Sequence, residues 1–178
     1  AIPAYAWNFS DLNPPVHAWA ALRVFEIDGS RDTDFLVRLF PKLLMNFTWW
    51  VNQQDPDGNS LFGGGFLGLD NIGPIDRSNL PPGYTLQQAD GTAWMAFYCT
   101  QMLGMLNHMV HAGQPVDHLL VTFLQHFISI NEAMDEEGIW DEEDGYFYDQ
   151  LVYPDGNRAP LRVTSLVGAM PVVATEAI

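Results

Sequence analysis

Apolar positions recur at helical spacing through most of this chain. Val16, Trp19, Ala20, Val24 and Ile27 form a first stripe. Asn13 is placed to cap that helix, Pro14 to occupy its first position, and Asp28-Gly29 to end it. A second helix is predicted from Asp32 or Thr33, with Leu36, Leu39, Phe40, Leu43, Leu44, Phe47 and Trp50 recurring along it. Pro41 should kink or divide it. A third, over about 89–111, is apolar on more than one side through Trp94, Phe97, Tyr98, Met102, Met105, Leu106 and Met109, a pattern of burial between neighbours. Gly113 stops it. Pro115 opens a fourth helix, with Leu119, Leu120, Phe123, Leu124, Phe127 and Ile130 inward, and Gly138 ends it. A fifth is expected to start near Thr164 and to continue to Ile178.

The polar intervals are less regular. A stretch from about 55 to 87 carries Gly58, Gly63-Gly64-Gly65, Gly68, Gly73, Pro74, Pro81, Pro82 and Gly83, and long ordered loops of this kind are usually functional. After Trp140-Asp141-Glu142-Glu143-Asp144-Gly145, residues 146–153 have strand character. Pro154-Asp155-Gly156-Asn157 is a turn, and 160–163 can pair back as a short hairpin. The expected class is all-α: helical hairpins joined by long loops, with one short β-hairpin and the chemistry on one loop face.

Composition narrows the function. The chain has 178 residues, 48% hydrophobic and 16% charged, which suits one globular domain and not a disordered one. No apolar run approaches the roughly 18 residues needed to cross a bilayer; the longest, near 166–174, is interrupted by Pro171. A net charge of -15 would repel nucleic acid and anionic membrane surfaces alike. Cys99 is single, so no internal disulfide forms; it reads as a small buried thiol. With no signal peptide visible, a cytoplasmic location is expected. Six Trp, six Tyr and eleven Phe beside many carboxylates suit a neutral carbohydrate, whose C–H faces stack while its hydroxyls take hydrogen bonds.

Two acidic loops stand out, Gly68-Leu69-Asp70-Asn71 followed by Asp76-Arg77, and 140–149. Glycoside hydrolysis needs a carboxylic acid to protonate the leaving oxygen and a second carboxylate across the sugar. Taken alone, Asp70 reads rather as a turn-forming or solvated aspartate.

The order of motifs resembles glycoside hydrolase family 63, the processing α-glucosidases and their bacterial relatives, including glucosylglycerate and mannosylglycerate hydrolases. Asn13-Pro14-Pro15-Val16-His17-Ala18-Trp19-Ala20 is similar to the family's Pro-Pro segment opening a barrel helix, and Gly68-Leu69-Asp70-Asn71 to its Gly-Leu-Asp-Asp or Gly-Met-Asp-Asn motif. Asp90 to Trp94 resembles the helix start after that loop, Gly145-Tyr146-Phe147-Tyr148-Asp149 the aromatic–Asp loop, and Val167-Gly168 to Pro171 the late helix start.

The resemblance implies an (α/α)6 toroid and an inverting α-glycosidase. Asp70 then corresponds to the general acid, kept protonated by burial or nearby negative charge. Asn71, Arg77, Asp90, Trp140, Asp141, Tyr146, Asp149 and His17 are the expected sugar-binding residues. For the tyrosines, hairpin packing competes with sugar contact; for His17, ordinary packing does. Asp90 could equally cap the third helix. The family's general base is a Glu C-terminal to the Val-Gly helix, and Glu176 does not fit its motif.

A toroid needs roughly 200 residues even with helices of about 12 and loops of about 5. Residues 1–178 are therefore expected to form a partial catalytic domain, incomplete at both ends and inactive alone. Uncovered helix faces should then promote self-association. The alternatives are a non-catalytic helical module that binds sugar or protein, and an inactive truncated relic.

No cofactor is expected. Asp55-Pro56-Asp57-Gly58-Asn59 fails the EF-hand pattern, since Ser60 and Phe66 stand where Gly and Glu are required. Calcium on the acidic run 135–144 is the remaining metal alternative. His108 and His111 lack a third ligand nearby and read as a satisfied or surface pair. Of Trp49 and Trp50, about 100° apart on a helix, one is core; Trp140 is the better stacking candidate.

Overall fold

The computed structural model describes residues 12–64 and 75–174. Among them the architecture is helix-rich with short strands, as expected. Helix α1 spans His17–Ile27, α2 Thr33–Gln54, α3 Ala89–His111 and α4 Asp117–Glu136. The segment Leu166–Val173 is a 3-10 helix. No helix among the described residues is long and apolar enough to cross a membrane.

Helix α3 is the centre of the molecule. Sixteen of its 23 residues are buried, and it packs on α1, α2, α4 and the 3-10 helix. That is the physical meaning of a helix apolar on several sides. Phe47 of α2 wedges between Tyr98 of α3 (ring centroids 5.4 Å apart) and Phe123 of α4 (5.0 Å), joining three helices through edge-on aromatic contacts.

Helix ends follow local chemistry. Asp32 caps α2, its carboxylate accepting from the Phe35 N–H at 3.0 Å. Gly113 (φ +81°) and Gly138 (φ +83°) follow α3 and α4, where the chain needs a left-handed residue to leave the helix. Trp50 is buried and Trp49 partly so, and Cys99 is buried and free.

Several expectations need correction. Helix α1 starts at His17 with Val16 at its N-cap, so Asn13, Pro14 and Pro15 lead into the helix without joining it. Its buried face is Ala18, Ala21, Leu22 and Phe25, whereas Val16, Trp19, Val24 and Ile27 are exposed. Both sets have helical spacing, and contact with α3 selected the one with the small residues. Pro41 does not divide α2: it is exposed, and the helix continues on both sides. The fifth element is a 3-10 helix bearing Pro171. In α4, Leu124 is exposed while Phe123 and Ile130 are buried.

Two small sheets stand at the loop end. Strands β2 (Trp140–Asp141) and β3 (Tyr146–Phe147) pair antiparallel, Trp140 opposite Phe147. In the other sheet β4 (Asp149–Val152) is central, with β5 (Arg158–Leu161) on one side and β1 (Thr85–Gln87) on the other, Gln87 opposite Gln150. The β4–β5 hairpin follows the predicted turn. Strand β1 lies in the stretch read as irregular, because a three-residue strand carries too little period to show.

Candidate functional site

The chain crosses the N-terminus of α3 tightly. The Gln88 N–H donates to the Phe62 carbonyl at 2.9 Å, and the Phe62 N–H donates to Thr92 Oγ1, also at 2.9 Å. A Cβ on Gly91 would stand 2.9 Å from the Phe62 carbonyl oxygen, so this crossing admits only glycine without a shift.

On that helix start sits a buried ionic group. Arg77, Asp90 and Asp149 are each at most 3% exposed. The Arg77 guanidinium grips Asp90 through both terminal nitrogens, Nη1 to Oδ2 at 3.1 Å and Nη2 to Oδ1, while its Nε lies 2.9 Å from Asp149 Oδ2. Asp149 Oδ1 accepts from the Ala89 N–H at 2.8 Å, which meets one of the open donors at the start of α3. Burial works against the Arg77 charge, but hydrogen bonds and charge from Asp90 and Asp149 outweigh it and hold its pKa above the usual value. Burial, opposed by Arg77 and reinforced by Asp90, leaves the Asp149 carboxyl raised to about 6. One cation between two carboxylates ties the loop at 77 and the start of α3 to β4, some way further along the chain.

Of the expected sugar-binding residues, Arg77, Asp90 and Asp149 are brought together here as a buried, mutually paired group. Their charged groups are withdrawn from solvent and turned onto one another and the helix start. The three tie the loop at Arg77 to the start of α3 and to β4. Asp70 and Asn71 lie outside the described residues.

Of the other expected binders, Trp140, Asp141 and Tyr146 share the β2–β3 hairpin, Asp141 opposite Tyr146. His17 occupies the first turn of α1, half-buried, and burial lowers its pKa. Asp141 pairs with Arg162 at 2.6 Å and accepts from the Asp144 N–H at 2.9 Å. The Tyr146 hydroxyl donates to the Ser165 carbonyl. Trp140 packs on Phe147, with ring centroids 4.7 Å apart, and borders a shallow hollow beside Met134 of α4. These groups pin the β2–β3 hairpin to the start of the 3-10 helix, and Trp140 faces α4, not Arg77.

A feature not anticipated is an aromatic hollow of about 260 Å³ where α1, α3 and the 3-10 helix meet. Val16, Trp19, Trp94, Phe97, Met170 and Val173 line it. Its signal in the sequence is the apolar breadth of α3, since Trp94 and Phe97 line the hollow as well as packing against the core. Such a wall can stack against the C–H face of a sugar. Among the described residues no cluster of three metal-ligating side chains occurs. His108 stacks edge-on against Phe25 and His111 bonds the Asn107 carbonyl.

Residues 4–64 match the mannosylglycerate hydrolase MGH1-like glycoside hydrolase domain. Over these residues the chain is similar to part of a glycoside hydrolase domain. The domain is similar in fold to a solved mannosylglycerate hydrolase of family 63 from Thermus thermophilus, in complex with glucose. The TM-score is 0.69 at 18% identity, covering 96% of this chain and 50% of that one. The same enzyme in complex with Tris and D-glycerate gives a TM-score of 0.68 at 17% identity, over 93% and 51%. An uncharacterised conserved protein from the same organism gives 0.70 at 18%, over 96% and 51%. In sequence, the domain is 44% identical to the uncharacterised protein YMR196W of Saccharomyces cerevisiae, over 98% of this chain. The chain spans 18% of that relative's length and about half of the solved chains.

Proposed function

We propose that this glycoside hydrolase domain serves in hydrolysing a short α-glucoside or α-mannoside with inversion, Asp70 being the general acid. One observation carries the reading: the Gly-Leu-Asp-Asn motif follows directly on residues that match a glycoside hydrolase family. The buried Arg77 group supports it, because a proton donor must be held to within a fraction of an ångström, and such a clamp lies just downstream of the aspartate in sequence. In this reading the aromatic hollow stacks the sugar, His17 and Asn71 bond its hydroxyls, and Arg77, Asp90 and Asp149 position the loop. The general base is assigned to sequence outside these 178 residues.

In the full-length protein Asp70→Asn should lower kcat by about 10²–10⁴, since an amide cannot donate the proton. The assay is release of glucose or mannose from short α-glycosides, with the anomer followed by NMR. Unchanged turnover in the variant removes Asp70 from the role. Stabilisation by sugar without any turnover moves the domain to the non-catalytic binding modules.

A further inference from the structure

A second hollow, also about 260 Å³, opens between the C-terminal end of α2 and β1. Gln54 and Asp57 line one side, Tyr84 and Gln87 the other, and Arg77 also borders it. Its wall mixes polar and apolar groups, where that of the aromatic hollow is apolar.

Gln87 shows what the hollow wants. The side chain is 5% exposed, and its Nε2 donates to Asp57 Oδ2 at 3.3 Å. A carboxylate only accepts, so this bond fixes the amide: the NH₂ faces Asp57 and Oε1 is turned away. That Oε1 is buried and accepts no hydrogen bond among the described residues. A buried carbonyl left unmet costs about 1–3 kcal/mol and is normally met by water or a ligand.

The remaining groups define the ligand. Asp57 is exposed and has lone pairs to spare. The Gln54 amide can both donate and accept, and the charge of Arg77 is taken by two carboxylates. Acceptors and amides with no uncommitted cation suit hydroxyl groups, each of which gives one hydrogen bond and takes others. An anionic ligand would meet Asp57 and a chain of net charge -15. Tyr84, tilted at 58° against Tyr153 with centroids 5.4 Å apart, adds an aromatic wall for a C–H face. The volume takes one pyranose ring.

We propose that this hollow binds a neutral saccharide unit, with Gln87 Oε1 and the Asp57 carboxylate accepting from its hydroxyls. The proposal rests on the hollow's own groups and does not depend on the role of Asp70.

The test uses the full-length protein with methyl α-D-glucopyranoside and methyl α-D-mannopyranoside, by titration and by soaking crystals. One of the two should appear within hydrogen-bond distance of Gln87 Oε1. Gln87→Leu, which keeps the bulk and removes the amide, and Asp57→Ala, in an exposed loop, should each weaken that binding about tenfold or more. Asp70→Asn should leave it unchanged. No glycoside in the hollow, or equal binding by wild type and Asp57→Ala, overturns the proposal, whatever turnover shows. Loss of turnover in Asp70→Asn with the hollow empty would leave the glycosidase reading standing and sink this one.

Discussion

Arg77 is the cation that lets two carboxylates be buried. Arg77→Met should destabilise the protein by about 3–5 kcal/mol, the usual cost of stranding buried charge, read as a lowered denaturant midpoint. Asp149→Asn should behave quite differently. The amide oxygen can still accept from the Ala89 N–H, and Arg77 keeps Asp90 as a one-to-one partner.

The pH dependence of that variant follows from the direction of the shift. The Asp149 pKa is raised from 3.8 to about 6, first by burial, so the folded state binds its proton more tightly than the unfolded chain does. The stability this group contributes is whole below pH 3.8 and is lost as pH rises through about 6. Unfolding measured across that window should show the loss in wild type and lack it in Asp149→Asn. An equal slope in both would mean that another group titrates there. The sequence displayed all three residues, but nothing in it said that they meet. The pairing joins Arg77 to an aspartate in another element altogether, and it is made by β4 docking against the start of α3.

At the scale of elements, α2, α3 and α4 were legible because each is long, periodic and bounded by a capping or left-handed residue. Short elements were not. Strand β1 has three residues and exists because β4 offers it an edge. The 3-10 helix is fixed by contact: a Cβ on Gly168 would run into the Phe147 carbonyl and the Tyr146 ring. Gly168→Ala should therefore cost about 1–3 kcal/mol, as overpacking against backbone does, and loosen the β2–β3 hairpin in hydrogen exchange. Gly104→Ala is the control, since its Cβ would meet only the flexible end of Leu22, at 2.9 Å. A cost for Gly104→Ala equal to that for Gly168→Ala would refute the backbone explanation.

For the molecule as a whole, the exposed face of α1 and the aromatic hollow form apolar surface on the same side as the 3-10 helix, where Leu166, Val172 and Val173 are also exposed. Patches of this kind mark an interface. Produced as residues 1–178, the domain should self-associate with increasing concentration in sedimentation velocity runs, and Trp19→Lys with Val24→Lys should suppress this while leaving the helical circular dichroism intact. A monomer at all concentrations would show that the face tolerates water.

Sequence alone determined what local chemistry can decide: the helix-rich class, three helices and most of their ends, and the turn at 154–157. Tertiary structure decided whatever depends on which surfaces touch. It chose between two apolar stripes on α1, because only the side with Ala18 and Ala21 lets the helix approach α3 closely. It turned Asp90 and Asp149 inward onto Arg77, whose charge offsets theirs, and it buried the Gln87 Oε1 without a hydrogen bond among the described residues. A side chain's type is written in the chain, but its partner is fixed only when distant segments pack.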